Sequence, residues 1–174
     1  MDDFDTSKDY QIAGAILFSM ALIGLSCNLS VVFFLNLMPS LNNSFGSLTL
    51  SQAIVDSIHQ SLFLFYFAPC IYFRSDTLYN ISDTFGFIIL TAYQICCFSH
   101  VSISINRFIA VYAPLTYKSL FSKWNTRAII LTYWVLGIVI MTVFLKFVDC
   151  SLYLPKETWI FIFKDTPACF TVMW

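Results

Sequence analysis

Four long stretches with almost no charged side chains limit the fold more than any other feature of the sequence. Residues 10–38, 84–106 and 128–145 contain no Asp, Glu, Lys or Arg, and residues 48–72 contain only Asp56. A helix needs about 20 residues to cross the ~30 Å hydrocarbon core of a bilayer. Charged residues make up 11% of the chain, less than half of their share in soluble domains. The sequence therefore predicts an all-α membrane protein with four spanning helices.

The residues between these stretches predict where the helices begin and end. We expect helices at about residues 11–37, 48–68, 84–112 and 126–146. Pro69 follows the second of these helices and Pro114 the third, and proline removes a backbone hydrogen bond from a helix. Residues 1–10 are then a tail, and residues 147–174 a long loop after the fourth helix.

The basic residues indicate which side of the membrane each loop faces. Four of the nine lie in or next to one short loop that contains no acid, namely Arg107, Lys118, Lys123 and Arg127. The other five lie in segments that also contain acids, namely Lys8, Arg74, Lys146, Lys156 and Lys164. Short cytoplasmic loops carry an excess of Lys and Arg. We therefore expect the N-terminus to lie outside, with an extracellular tail at 1–10 and an outer loop at 147–174.

Polar side chains inside the predicted helices are candidates for function. Ionisable groups in hydrocarbon are destabilising, so those that occur there usually have a functional role. Gln52, Asp56 and His59 are four and three residues apart, so they share one face of the second helix. Two interpretations are equally open: a polar stripe that joins helices, or a hydrated site whose protonation changes with conformation. Asn28 in the first helix also needs a partner, and Asp56 could accept a hydrogen bond from its amide.

Patterns typical of enzymes and cofactor sites do not occur. Two His residues give little support to a metal centre, and the five Gly residues form no phosphate-binding loop. No nucleophile stands beside a base in a recognisable arrangement. We expect no catalysis, no cofactor or metal, and no nucleic-acid partner.

The segment from Asn106 to Tyr117 points most directly to a function. Arg107 lies at the inner mouth of the predicted bundle, where its permanent charge can reach water or the exposed carbonyls of a partner. Pro114 turns the chain, and Leu115 then becomes an apolar side chain in polar and basic surroundings, which suits protein docking. The same loop could instead only fix the topology.

This segment resembles the end of the third helix in rhodopsin-like G-protein-coupled receptors, where an acid–Arg–Tyr triplet precedes a Pro-Leu pair. Asn28, Asp56 and Trp134 resemble the marker residues of helices one, two and four in that family, with matching separations from Arg107. Residues 39–48 and 50–56 resemble the nematode serpentine chemoreceptors of class x. The resemblance implies the first four helices of a seven-helix bundle, with Trp134 in helix packing.

The resemblance also implies a mechanism. An unknown outer ligand would shift a two-state bundle, so that Arg107, Pro114 and Leu115 contact a heterotrimeric G protein. Asn28, Asp56 and His59 would form the polar network that rearranges inside the membrane.

A truncated chemoreceptor of the plasma membrane of sensory cells is therefore our expectation, with the lipid bilayer and a receptor oligomer as further partners. Without helices five to seven we expect no signalling from these 174 residues alone. Two alternatives remain: a non-signalling partner of full-length receptors, and a four-helix channel or transporter subunit with the Gln52–Asp56–His59 stripe along its pathway.

The sequence departs from the family pattern beside the arginine. Asn106 replaces the acid, so we expect Arg107 to find other acceptors. Phe108 replaces the tyrosine, which removes a hydroxyl group.

Cysteine placement is a further departure. The family usually links the outer end of helix three to the second outer loop by a disulfide, but residues 71–95 contain no Cys. The resemblance leaves Cys70 as the upstream partner, and we expect it to pair with Cys169 rather than Cys150. In the outer loop, Asn80-Ile81-Ser82 fits the pattern for N-glycosylation.

Overall fold

A computed structural model of the chain describes residues 2–147, 150–164 and 169, with side chains from residue 7 onward. The described chain is almost entirely helical and ends in a short antiparallel hairpin. The α-helices are α1 (Asp2–Leu37), α2 (Ser44–Leu62), α3 (Ala68–Phe73), α4 (Asp76–Asn80), α5 (Ser82–Tyr112), α6 (Pro114–Leu120) and α7 (Lys123–Thr142). A 3-10 turn covers Pro39–Leu41, and the strands are β1 (Leu152–Tyr153) and β2 (Ile162–Phe163).

Within the described residues, four helices are long and apolar enough to cross a membrane, which agrees with the predicted number of spanning helices. They are span 1 (Ser7–Leu37), span 2 (Ser44–Phe73), span 3 (Ser82–Tyr112) and span 4 (Lys123–Phe147). The first helix begins at Asp2 rather than near residue 11, since neither Pro nor Gly interrupts residues 2–13. The end of the bundle with α4 and the hairpin is called the hairpin end below, and the opposite end, with α6, the Arg107 end.

Span 2 continues through Pro69 to Phe73, although the sequence predicts its end near residue 68. A π-helical turn at Phe63–Phe67 precedes the proline, and α3 begins immediately after it. Proline lacks an N–H and its ring crowds the carbonyl four residues earlier. A wider π turn just before the proline removes that conflict, so the chain bends without leaving the helix.

Span 2 lies at the centre of the packing, between span 1 and span 3, and span 3 packs in turn against span 4. A core cluster joins the last three spans through residues such as Leu48, Val55, Ile95, Ile103 and Tyr133. A second cluster, called the hairpin-end cluster, contains Tyr10, Tyr66, Phe67, Cys70, Ile71, Tyr79 and Leu154. The large side chains of span 1 are mostly exposed.

Glycine permits close approach of span 1 to span 2 near the hairpin end. A Cβ atom added at Gly14 would lie 2.9 Å from Cβ of Tyr72 and 3.0 Å from its Cα and N. Small residues at such crossings let helix backbones touch in membranes. At Gly24 the same added atom would meet the side chain of Gln60, at 3.0 Å from its Cδ, and that side chain can move away.

We expect Gly14→Ala to lower the free energy of unfolding by about 1–2 kcal/mol relative to Gly24→Ala, because only the first change pushes against backbone. Both variants gain the same helix propensity, so their difference isolates the clash. Thermal unfolding in nanodiscs measures it. Equal unfolding temperatures for the two variants would show that the spans do not approach closely at Gly14.

Candidate functional site

The polar stripe on span 2 faces a matching stripe on span 3. Nε2 of Gln52 lies 3.1 Å from Nε2 of His100, and the thiol of Cys96 donates to Oδ1 of Asp56 at 2.8 Å. Next along the stripe, the rings of His59 and Tyr93 lie 6.5 Å apart between centroids. These six residues, Gln52, Asp56, His59, Tyr93, Cys96 and His100, are called the polar ladder below.

The ladder follows from the spacing of its residues on two antiparallel helices. On span 2 they are four and three residues apart, and on span 3 they are four and three apart in the opposite chain direction. Both stripes therefore run along one helix face and meet in register. The half on span 2 was predicted from the sequence, but the half on span 3 was not. The sequence does contain a signal for the stripe on span 3, because Tyr93, Cys96 and His100 are three and four residues apart.

Asn28 does not join the ladder. Among the described hydrogen bonds, none connects Asn28 with Asp56, whose carboxylate accepts from Cys96 instead. The half-buried Asn28 lies on span 1, on the opposite side of span 2 from span 3. A hydrogen bond from Asn28 to Asp56, which the sequence allows, is therefore not formed in this conformation.

Trp134 connects span 4 to span 2. Its Nε1 donates to Oγ of Ser51 at 2.9 Å, and the hydroxyl of Tyr133 donates to the same oxygen at 2.7 Å. One serine hydroxyl thus accepts from two aromatic side chains inside the bundle. Buried Tyr and Trp need such partners for their polar atoms, so this contact favours one relative position of the two helices.

Arg107 and Leu115 are both exposed at the Arg107 end. The guanidinium carbon of Arg107 lies 4.9 Å from the centre of the Phe45 ring, a cation–π geometry. Among the described residues no carboxylate or carbonyl binds its side chain, so Phe45 rather than an acceptor orients it. Pro114 is the first residue of α6, and Leu115, which follows it, is 94% exposed.

Asn106, in the position where the receptor family has an acid, is buried rather than exposed. It is 1% exposed, and its amide donates to the Tyr117 hydroxyl at 3.4 Å. That hydroxyl is also hydrogen-bonded to Oγ of Ser44 at 2.7 Å. The three residues belong to span 3, α6 and span 2, so this link fixes α6 against both helices.

The expected disulfide between Cys70 and Cys169 is wrong. Cys169 pairs with Cys150, with a Cα–Cα distance of 5.0 Å, and Cys70 is a free, fully buried thiol in the hairpin-end cluster. The hairpin reverses the chain after Cys150 and brings the later segment back toward it. The disulfide therefore closes a loop within the segment after span 4 and does not bind that segment to spans 2 or 3.

Packing and one ion pair hold the hairpin to the bundle instead. The carbonyl of Leu152 lies against Gly86 at a distance that leaves no space for a Cβ atom. The ring of Phe161 stacks on Phe67 with centroids 4.8 Å apart. Lys156 pairs with Asp76, and its ammonium lowers the pKa of that exposed carboxyl. Non-covalent contacts, which can separate reversibly, thus take the place of the disulfide that would join this segment to span 3.

The loop between spans 2 and 3 carries the proposed glycosylation residue. Asn80 is exposed at the end of α4, whereas Ser82 of the same motif is buried at the start of α5. In the same helix, burial raises the pKa of Tyr79 to about 12.

Within the described ranges, no three His, Cys, Asp or Glu side chains are grouped so that they could hold a metal ion. The polar ladder thus lies inside the bundle, and Arg107 and the α6 residue Leu115 are exposed at one of its ends.

The sequence matches a known receptor family along most of its length. A profile for the serpentine type 7TM GPCR chemoreceptor Srx matches residues 18–174. The chain belongs to the Srx family. Srx proteins are receptors rather than enzymes, and the match does not favour a channel subunit. The Srx chain is therefore an integral, multi-pass membrane protein of a chemoreceptor family.

Two curated relatives come from Caenorhabditis elegans. Serpentine receptor class X 45 is 29% identical over 174 residues, which cover 97% of the Srx chain and 47% of that protein. Serpentine receptor class X-43 is 24% identical over 173 residues, which cover 98% of the chain and 53% of that protein. The Srx chain thus spans about half the length of these relatives.

The fold is that of rhodopsin. The crystal structure of squid rhodopsin superimposes with a TM-score of 0.83 at 14% identity, covering 96% of the Srx chain and 46% of the rhodopsin chain. The expected architecture, four helices of a rhodopsin-like bundle, is therefore confirmed.

We expect Cys96→Ala to lower the free energy of unfolding by about 1–2 kcal/mol, because Asp56 loses its hydrogen-bond donor in a half-buried position. Cys96→Ser keeps a donor there and should recover most of the loss. Cys27→Ala removes an exposed thiol from span 1 and serves as the control. Thermal unfolding in nanodiscs measures all three. Equal effects of the Ala and Ser variants at residue 96 would contradict this role for the thiol.

Proposed function

We propose that the chain forms the first four helices of a chemoreceptor that binds a ligand at the hairpin end and couples to a heterotrimeric G protein at the Arg107 end. The Srx match supports this class of function. Because the relatives are about twice as long, the remaining part of such a receptor would complete the bundle. Ligand binding and coupling are proposals for that complete receptor.

The exposure of Leu115, at the same end of the bundle as Arg107, carries the proposal. An isolated leucine that is 94% exposed gains the most from docking into an apolar pocket of a partner. Phe45 orients the Arg107 guanidinium at the same end of the bundle through a cation–π contact. Arg is enriched among the residues that dominate the binding energy of interfaces, and Arg107 offers its donors to exposed carbonyls of the G protein.

The link from Asn106 to Tyr117 and Ser44 would set the position of this surface. It joins span 3 to α6, so a movement of span 3 would carry Leu115 with it. Asn106 is neutral, and Arg107 therefore has no adjacent carboxylate to release on activation. We propose that α6, rather than a salt bridge at Arg107, changes between the inactive and active states.

The polar ladder is our proposal for the element that differs between those states. Asp56 and His59 belong to it, and Asn28 would join after a rearrangement of span 1. Hydrogen bonds between helices in a membrane contribute only about 0.6 kcal/mol each on average. A ligand with a modest preference for one arrangement can therefore shift the equilibrium.

We propose that the hairpin end faces the outside, in the plasma membrane of sensory cells. The Cys150–Cys169 disulfide supports this orientation, since disulfides persist in oxidising compartments. The acid-free loop with Lys118 and Lys123 supports a cytoplasmic Arg107 end.

Glycosylation tests the orientation. Expressed in cells, the chain should carry a glycan at Asn80 that endoglycosidase removes, and Asn80→Gln should abolish the mobility shift. Modification would take place during synthesis, before Ser82 is buried. Asn42, in the motif Asn42-Asn43-Ser44 at the other end, is the matched control, and Asn42→Gln should change nothing. A shift that disappears with Asn42→Gln would reverse the orientation.

Docking is tested in a chimera of residues 1–174 followed by the part of Serpentine receptor class X 45 beyond the matched region. In nanodiscs, its affinity for a nucleotide-free heterotrimeric G protein should fall about tenfold or more with Leu115→Asp or Arg107→Ala, the range expected of an interface anchor.

The control adds the same charge elsewhere at the Arg107 end. Ser40 is exposed in the 3-10 turn Pro39–Leu41, and Ser40→Asp should leave the affinity within about twofold, as for an ordinary surface change. If Ser40→Asp weakens binding as much as Leu115→Asp, net charge rather than docking of the leucine explains the effect.

A further inference from the structure

We propose that the groove between spans 2 and 4 binds an anionic phospholipid from the leaflet at the Arg107 end. The groove has a volume of about 700 Å³ and is lined mainly by apolar residues of both spans, among them Ile54, Ile130, Trp134 and Ile138. One charged residue, Arg127, belongs to its lining. This inference does not rest on G-protein coupling.

The length of the groove fits one lipid. Along span 4 it extends from Arg127 to Ile138, about 16 Å at the rise of an α-helix. Half of the ~30 Å hydrocarbon core is about 15 Å. The groove therefore covers the depth of a single leaflet, with its cation at the end of span 4 and its apolar wall along an acyl chain.

The positive charge of Arg127, at the Arg107 end of the groove, favours an anionic headgroup. Trp124 is 78% exposed, and the Arg127 guanidinium carbon lies 5.7 Å from the centre of its ring. Trp and Arg in this position mark the headgroup level of a membrane. The segment from Arg107 to Arg127 contains no acid, so nothing there repels a phosphate. Basic pockets between membrane helices bind anionic headgroups in this way.

A second groove shows that volume alone does not make such a site. It has about 720 Å³ and is lined by spans 1, 2 and 3 and the loop between spans 2 and 3, but no charged residue belongs to its lining. Its residues include Leu25, Leu29, Ile58 and Phe65. Any acyl chain can cover it without preference for a headgroup. Arg127 distinguishes the groove between spans 2 and 4.

Tryptophan quenching by brominated lipids tests the proposal. The chain carries Trp159→Phe and Trp174→Phe, so that Trp124 and Trp134 supply the fluorescence. Nanodiscs of phosphatidylcholine contain equal mole fractions of either dibromo-phosphatidylglycerol or dibromo-phosphatidylcholine. From the attraction of one cationic side chain we expect an apparent occupancy about fivefold higher for the anionic lipid.

Variants separate Arg127 from the general charge of the loop. Arg127→Gln should remove the preference for phosphatidylglycerol, and Arg127→Lys should keep most of it. Lys118→Gln removes the same charge from α6, outside the groove lining, and should keep the preference. Lipids that remain bound in native mass spectrometry give a second measurement that does not depend on fluorescence.

Three results would overturn the proposal. The first is equal quenching by the two brominated lipids in the parent chain. The second is an equal loss with Lys118→Gln and Arg127→Gln, which would indicate a diffuse surface charge. The third is displacement of both lipids by cholesterol regardless of headgroup, which would identify a sterol as the occupant.

Discussion

The contact between spans 2 and 3 is the interaction on which the rest of the structure depends. Water cannot compensate a polar side chain in the hydrocarbon core, so such groups must find partners within the protein. The polar ladder satisfies this requirement for Gln52, Asp56 and Cys96. It also fixes the register of the two helices, because a shift of span 3 by one residue would separate every pair. Spans 1 and 4 then pack on this pair through small residues and the hydrogen bonds at Ser51.

Much of this architecture could be predicted from the sequence, because the membrane imposes a simple rule on charge. Four stretches with at most one charged residue each predicted the number of spans, and the end of span 3 at Tyr112 agrees with the prediction from Pro114. The exposure of Leu115 follows from the same proline. Features that depend on contacts distant in sequence were missed. The partner stripe on span 3, the π turn before Pro69 and the pairing of Cys150 with Cys169 all require knowledge of which surfaces meet.

The Arg107 end departs in its chemistry from the receptor pattern that the sequence resembles. A neutral Asn106 is buried where an acid would be, and it bonds to Tyr117 instead of the neighbouring Arg107. An amide can be buried with a hydroxyl partner far more readily than a carboxylate can. This part of the bundle therefore has a packed, uncharged link, and Arg107 is left to an aromatic neighbour.

The location of the disulfide has a consequence for how the two ends of the bundle could communicate. A covalent link between span 3 and the segment after span 4 would force the two to move together. Here the hairpin is stiffened internally by Cys150–Cys169, but it touches span 3 through the contact of Leu152 with Gly86. A packed contact of this kind prevents the two segments from moving closer together, but it does not prevent them from separating. Movement of the hairpin relative to span 3 therefore requires only packed contacts to separate, with no covalent bond to break.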